Sequence, residues 1–148
     1  MKIINSFNGH FGFLSNFSPH SFVDLKGVKW KTSEHFYQAA KTNNFKQKIV
    51  IAEASTPGKA KRFGQEVDLI KDWNRKKISV MYRALKMKFD QNPDIKKKLK
   101  STFAYKLVES NYWHDNYWGN CFCDKCDKIR GQNYLGNILM IVRDGYTK

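Results

Sequence analysis

The chain is poor in acids. Of its 148 residues only 13 are Asp or Glu, against 27 Lys and Arg, which leaves a net charge of +14. A surface of that sign attracts phosphates, whether of nucleic acid, nucleotides or phosphorylated metabolites; the plain reading is that lysine-rich surfaces also arise from solubility needs or a lysine-rich proteome. Arginine is also scarce, five of the 27 cations, which argues against base reading in a DNA groove. No helix-turn-helix or zinc-finger signature, GxGxxG or P-loop is present. No apolar run approaches the ~18 residues of a membrane span. Met1-Lys2-Ile3-Ile4-Asn5-Ser6-Phe7 lacks the apolar stretch of a signal peptide, so a cytoplasmic protein with no membrane partner is expected. With three prolines, no linker tract and no repeat, a single domain spanning 1–148 is expected. The three cysteines, Cys121, Cys123 and Cys126, fall within six residues, which is not a secreted disulfide framework.

What the chain has is aromatic residues, 15% of the total, within 41% hydrophobic residues, enough for a packed core. Residues 2–7 and 21–30 read as short strands, the latter turning at Asp24–Gly27. An aromatic loop, Gly12-Phe13-Leu14-Ser15-Asn16-Phe17, lies between them. Ser33 is placed to cap a helix carrying Glu34. A second helix is expected over about 45–54, and Thr56-Pro57 starts a third that Gly64 ends. Asp72 is placed as the N-cap of a long helix to about 91, burying Ile78, Met81, Tyr82, Leu85 and Phe89. Asn92-Pro93 stops it and starts another, with Ile95 and Leu99 inward. Tyr105–Glu109 reads as a strand and 111–133 as loop. A last helix over 134–144 turns Leu135, Leu139 and Val142 inward, with Gly145 after it. The class is α+β, mostly helical, with a few short strands near the N-terminus.

Several constellations bear on chemistry. On a helix, Glu34, Gln38 and Lys41, at i, i+4 and i+7, share one face over roughly 10 Å. The plain reading is an exposed face with a weak ion pair. The chemical reading notes Trp30, Phe36 and Tyr37 around this segment and small Ala39 and Ala40 beside Lys41. A lysine sunk among them loses charge by desolvation, and a neutral amine attacks a sugar aldehyde. His114-Asp115-Asn116-Tyr117-Trp118-Gly119 reads either as an Asp-Asn turn with a packed tryptophan or as an acid beside aromatics, suited to a cationic transition state or a stacked base. Cys121, Cys123 and Cys126 lack a second CxxC. Reduced loop thiols are the expected reading, with no cofactor; the alternative is zinc with His114 as fourth ligand. Lys96-Lys97-Lys98-Lys100 and Arg75-Lys76-Lys77 read as solvated faces that could help to hold a polyanion.

Taken in order, these motifs resemble the NADAR family of YbiA-like N-glycosidases nearly end to end. The resemblance runs through Gly12-Phe13-Leu14-Ser15-Asn16-Phe17, Trp30-x-Thr32-Ser33-Glu34-His35-x-x-Gln38-Ala39-x-Lys41, Lys61-Arg62-Phe63-Gly64 and Asp72-Trp73. It continues in Met81-x-x-Ala84-Leu85-x-x-Lys88-Phe89, Leu107-Val108-Glu109, Asp115-x-x-Trp118-Gly119 and the segment from Gly131 to Arg143. It implies a compact, mostly helical α+β domain that hydrolyses the bond between ribose and a nitrogen base. The implied substrates are ribosylamino-pyrimidines of riboflavin synthesis, or ADP-ribose on guanine in DNA or RNA. It places Glu34, Lys41 (as a Schiff-base lysine) and Asp115 among catalytic positions, and Trp73 at a functional position. Asn16, Arg62, Trp118, Gly119 and Asn133 would surround the ligand. The cysteine cluster departs from the glycine-rich loop of many relatives. A different class, a basic nucleic-acid-binding module without chemistry, explains charge and aromatics equally well, though not the ordered motifs. No pattern in the chain specifies an oligomeric state.

Overall fold

A computed structural model describes residues 1–148. The chain packs as two units, one formed by 16–92 and the other, the terminal unit, by 1–15 with 93–148.

The 16–92 unit begins with two short antiparallel strands, β2 (Phe22–Val23) and β3 (Lys29–Trp30). Asp24 builds the turn between them: its Oδ1 accepts from Lys26 N at 2.9 Å and Val28 N at 3.0 Å, and its Oδ2 from the Trp30 indole at 3.0 Å. Helix α1 (Ser33–Ala39) follows, then α2 (Phe45–Glu53), α3 (Pro57–Gly64) and α4 (Trp73–Gln91). Thr32 caps α1, its Oγ1 accepting from His35 N at 3.1 Å. Ser33, the expected cap, instead points its hydroxyl at Asn16 Oδ1, 2.9 Å away. Asn44 and Thr56 cap α2 and α3 in the same way, and Pro57 sits in the first turn, where no N–H is needed. Helix α1 packs against α2, α3 and α4. Its apolar side joins a core of Phe22, Trp30, Ala39, Ile51, Ala54 and Ala60, with Phe36 edge-on to both Phe22 and Trp30.

Two expectations for α4 need correcting. Asp72 makes no side-chain cap bond and sits at φ +61°, a left-handed position that Asp tolerates better than most residues. The buried stripe is Trp73, Val80, Met81, Ala84, Leu85, Lys88 and Phe89. Tyr82 is 38% exposed and Ile78 is only half-buried. The true stripe runs through a lysine, so a purely apolar template is rotated away from it.

In the terminal unit, β1 (Lys2–Ile4) pairs in parallel with β4 (Tyr105–Leu107), in the register Ile4 to Leu107. Both strands are shorter than the spans 2–7 and 105–109. A 3-10 turn over Gly9–Leu14 occupies the aromatic loop. Helix α5 (Pro93–Ser101) buries Ile95 and Leu99, and α6 (Tyr134–Gly145) buries Leu135, Ile138, Leu139 and Val142. Gly145 closes α6 from within rather than following it. Arg143 ties α6 to the end of α5: its Nη1 donates to Thr102 O at 2.9 Å and Tyr105 O at 2.7 Å. The 111–133 loop holds one further parallel pair, β5 (Ser110–Asn111) with β6 (Asn120–Cys121).

Lys88 is wholly buried. Burial pushes its amine down to about 7 from an ordinary 10.5. Over that window the unfolded chain holds a proton that the folded chain has released. Stability therefore climbs as pH rises from about 7 towards 10, by up to about 1.4 kcal/mol per pH unit from this group. Urea unfolding across that range is expected to show the climb in the wild type and a flatter profile in Lys88→Met. Equal slopes would mean that Lys88 is not depressed.

Candidate active site

The cap of α1 and the aromatic cluster behind it decide where Glu34 goes. Thr32 fixes the first turn. Asn16 holds it from outside, accepting Glu34 N on its carbonyl at 3.2 Å and the Ser33 hydroxyl on its Oδ1 at 2.9 Å, with its Nδ2 3.4 Å from Met81 Sδ. His35 is locked beneath, Nδ1 to Thr32 Oγ1 at 2.7 Å and Nε2 to Ala54 O at 2.9 Å. Burial pushes its pKa below the usual imidazole value, the Ala54 carbonyl opposing the shift and Lys31 adding to it. Glu34 is 6% exposed, rare for a carboxylate. Gln38, one turn on, donates from Nε2 to Glu34 Oε1 at 2.7 Å, so the i, i+4 pair is real.

The remaining side of Gln38 is set by Gly64, the last residue of α3. A Cβ there would collide with the Gln38 amide. The absence of one lets Gln38 Oε1, buried and without a conventional donor, rest against the Gly64 backbone, where a Cα–H gives a weak contact. From the residues alone Gly64 reads as a helix stop, and the family resemblance gives it no packing role. Its packing role left no mark in the periodicity.

Lys41 differs from the expected helical placement. Helix α1 closes at Ala39, and Lys41 lies in the turn beyond it, its N–H bonding Gln38 O at 3.2 Å. Its amine is nonetheless within the field of Glu34. Desolvation pushes the Lys41 pKa down, the Glu34 carboxylate pulls it back up, and Lys61 and Lys77 push it down again. The amine also lies 5.5 Å from the centre of the Tyr37 ring. Tyr37 in turn packs on Trp73, centroids 5.3 Å apart. Trp73 is 6% exposed, so it backs the Tyr37 ring from within the fold. Arg62 is exposed on α3, its guanidinium 5.5 Å from the Phe63 ring. The 16–92 unit thus brings together a buried acid, an amide, a desolvated amine and surrounding cations.

The remaining candidates lie in the terminal unit. Asp115 folds a tight turn, Oδ1 accepting from Tyr117 N at 3.1 Å and Trp118 N at 2.9 Å. Asn111 grips its backbone from both sides, Nδ2 to Asp115 O at 2.7 Å and Oδ1 from Asp115 N at 3.1 Å. Tyr117 sits edge-on to Trp118 and also packs on Tyr134, centroids 4.7 Å apart. Gly119 is pressed against Glu109 with no room for a Cβ. Asn133 is engaged within the fold: Oδ1 accepts from Glu109 N at 3.0 Å and Nδ2 donates to Leu107 O at 2.9 Å. It borders a polar recess of about 390 Å³ lined by Lys106, Arg130, Gly131, Gln132, Asn133 and Asn137.

This chain matches the family model described as the NADAR domain over residues 5–146. The chain belongs to the NADAR family. It is 36% identical over 146 residues to the N-glycosidase YbiA of Escherichia coli, covering 96% of this chain and 87% of that one. It is 39% identical over 149 residues to the chloroplastic riboflavin biosynthesis protein PYRR of Zea mays. That match covers 90% of this chain and 23% of the maize protein. The NMR structure of E. coli YbiA superposes with a TM-score of 0.84 at 35% identity, covering 99% of this chain and 85% of that chain. At that likeness over nearly its whole length, this NADAR protein is an enzyme of the N-glycosidase class and has the mostly helical α+β fold expected. No helix is long and apolar enough to cross a membrane.

Gly64→Ala is expected to push the Gln38 amide off Glu34 while leaving the α1 cap and core intact. N-glycosidase turnover should fall tenfold or more with a thermal midpoint lowered by only a few degrees. Full turnover in a folded Gly64→Ala would show that the Glu34–Gln38 contact is dispensable.

Proposed function

We propose that the chain hydrolyses the bond between C1′ of a ribose, carried as ribose phosphate or ADP-ribose, and a nucleobase or base-like amine. One observation carries this reading: a desolvated lysine amine is held in the field of a buried carboxylate, among further cations. Riboflavin biosynthesis proteins among the relatives favour a ribosylamino-pyrimidine as substrate. The net charge of +14 and the cations Arg62, Lys61 and Lys77 suit the phosphate. The same chemistry accommodates ADP-ribosyl-guanine within DNA or RNA. A cytoplasmic setting fits three reduced thiols.

In this reading Glu34 manages the proton. In its protonated form it delivers one to the ring oxygen as the C1′–O bond opens, leaving an iminium between C1′ and the base nitrogen, and it recovers that proton when water releases the lysine imine. The neutral Lys41 amine adds to C1′ and forms a C–N bond. A proton passes to the base nitrogen, the C1′–base bond breaks, and the base leaves. Water then adds to the lysine imine, the amine departs, and the sugar closes again. The sum is hydrolysis, with no oxidant or reductant. Trp73 is the indole of the 16–92 unit proposed for the base; Asp115 and Trp118, in the terminal unit, are assigned to the reaction by the family resemblance alone, Asp115 for negative charge at the cationic stages.

Incubation with ribosylamino-uracil phosphate and with ADP-ribosylated guanine in DNA and in RNA, read by mass spectrometry of released base, tests the substrate class. Release from at least one is expected. Release from none, with steeply salt-dependent binding of plain oligonucleotide, would support a binding module instead. Borohydride added during turnover is expected to leave a sugar adduct on Lys41. Full activity in Lys41→Ala, with no adduct in the wild type, would exclude the imine. Activity should rise with pH through the lowered Lys41 pKa, because only the neutral amine attacks. Glu34→Gln should retain binding and lose cleavage by about a hundredfold. Asp115→Asn preserves an acceptor for the turn, so its loss of cleavage would identify a need for charge. Unchanged cleavage would confine Asp115 to shaping the loop.

A further inference from the structure

We infer that His114, Cys121, Cys123 and Cys126 form a structural zinc site that holds the 111–133 loop. The four candidate ligand atoms all lie within 4.8 Å of one another. His114 Nδ1 is 3.2 Å from Cys123 Sγ and 3.4 Å from Cys126 Sγ. A zinc ion with bonds of about 2.0–2.1 Å to nitrogen and about 2.3 Å to sulfur sets tetrahedral N···S separations of roughly 3.5 Å. The histidine nitrogen is thus set at the spacing that one ion imposes, seven to twelve residues before the cysteines in sequence.

The surroundings suit metal-bound thiolates. Cys121 Sγ accepts from His114 N at 3.3 Å and from Cys123 N at 3.5 Å, and Cys126 Sγ from Asn116 Nδ2 at 3.3 Å. Such donors stabilise sulfur that carries negative charge. His114 takes φ +70°, which a non-glycine residue keeps only where its surroundings hold it. Cys121 and Cys126 are buried, Cys123 is half-buried and His114 is exposed, so the centre sits at the surface with its inner sulfurs covered.

Apolar packing adds little to the side-chain hydrogen bonds that shape this loop. Tyr112, Trp113, Phe122 and Ile129 are each more than half exposed, so apolar packing does not fix this segment. A segment with so little apolar packing is held by side-chain hydrogen bonds, a cross-link or a metal. Three cysteines leave any disulfide with an odd partner. Reduced free thiols, the reading the sequence favoured, do not account for a histidine nitrogen set against two of the sulfurs. The consequence reaches Asp115, which stands between ligand His114 and Asn116. Asn116 itself receives Cys121 N on Oδ1 at 2.9 Å. Zinc would therefore fix the turn that presents Asp115. The inference does not depend on the glycosidase reading, since its test measures metal.

Untagged protein purified without chelator is expected to contain about one zinc per chain by elemental mass spectrometry. Cobalt substitution should give the intense visible bands of a tetrahedral thiolate site. His114→Ala changes an exposed residue and should fold, with zinc affinity at least tenfold weaker. Cys126→Ser should lose the metal. A strong chelator should lower the wild-type thermal midpoint by several degrees and leave that of the zinc-free variant unmoved. Fully reduced wild-type protein that neither retains zinc nor takes up zinc or cobalt would overturn the site. Unaltered affinity in His114→Ala would do the same for the four-ligand set.

Discussion

The short hydrogen bond between Glu34 and Gln38 is the constraint on which the candidate chemistry depends. A carboxylate that is 6% exposed is costly to keep charged. Here it is kept by an amide one helical turn away, 2.7 Å distant, and by the field it shares with Lys41. The amide in turn is positioned by the missing side chain of Gly64. Behind them the Thr32 cap and the locked His35 ring fix the first turn of α1. Each layer is ordinary structural chemistry. Together they hold an acid and an amine in a desolvated place that neither would occupy alone.

The two units divide the work differently. The 16–92 unit is built by apolar packing around α1, so its reactive groups stand on a rigid helix and the turn that ends it. The terminal unit has a small core of α5, α6, β1 and β4, but its long loop is shaped by polar side chains. Asn111, Asp115, Asn116, Asn120 and Asn133 each bind backbone N–H or C=O groups. Where apolar burial is thin, these polar side chains and the sulfur cluster specify the path. Several residues that resemble ligand-binding positions, Asn16 and Asn133 above all, are already engaged in this internal bonding. Substituting them would change shape before it changed contact with any substrate.

The helices were largely legible in the sequence because caps and apolar spacing are local signals. Thr56-Pro57, Asn92-Pro93, Ile95 with Leu99, and the inward face of α6 all read correctly. Errors arose where distant neighbours decide. Ser33 looked like a cap until Asn16, seventeen residues earlier, claimed its hydroxyl. Asp72 looked like a cap but adopts a left-handed backbone. The face of α4 was misjudged because a buried lysine breaks the apolar pattern. In the site, the i, i+4 spacing of Glu34 and Gln38 was readable. The termination of α1 before Lys41 was not, since Ala39-Ala40 favours continuing a helix. Nor was the gathering of His114 with three cysteines, because loop geometry has no period to read.

The most direct test is the titration of the Lys41 amine itself, followed by NMR of protein carrying isotope-labelled lysine ε-carbons and assigned with Lys41→Arg. In the wild type its midpoint should lie below those of exposed lysines, because desolvation outweighs the attraction of Glu34. In Glu34→Gln it should fall further, since the carboxylate that favours the charged form is gone. A Lys41 that titrates with the surface lysines, and does not respond to loss of the Glu34 charge, would mean that acid and amine do not form a working pair.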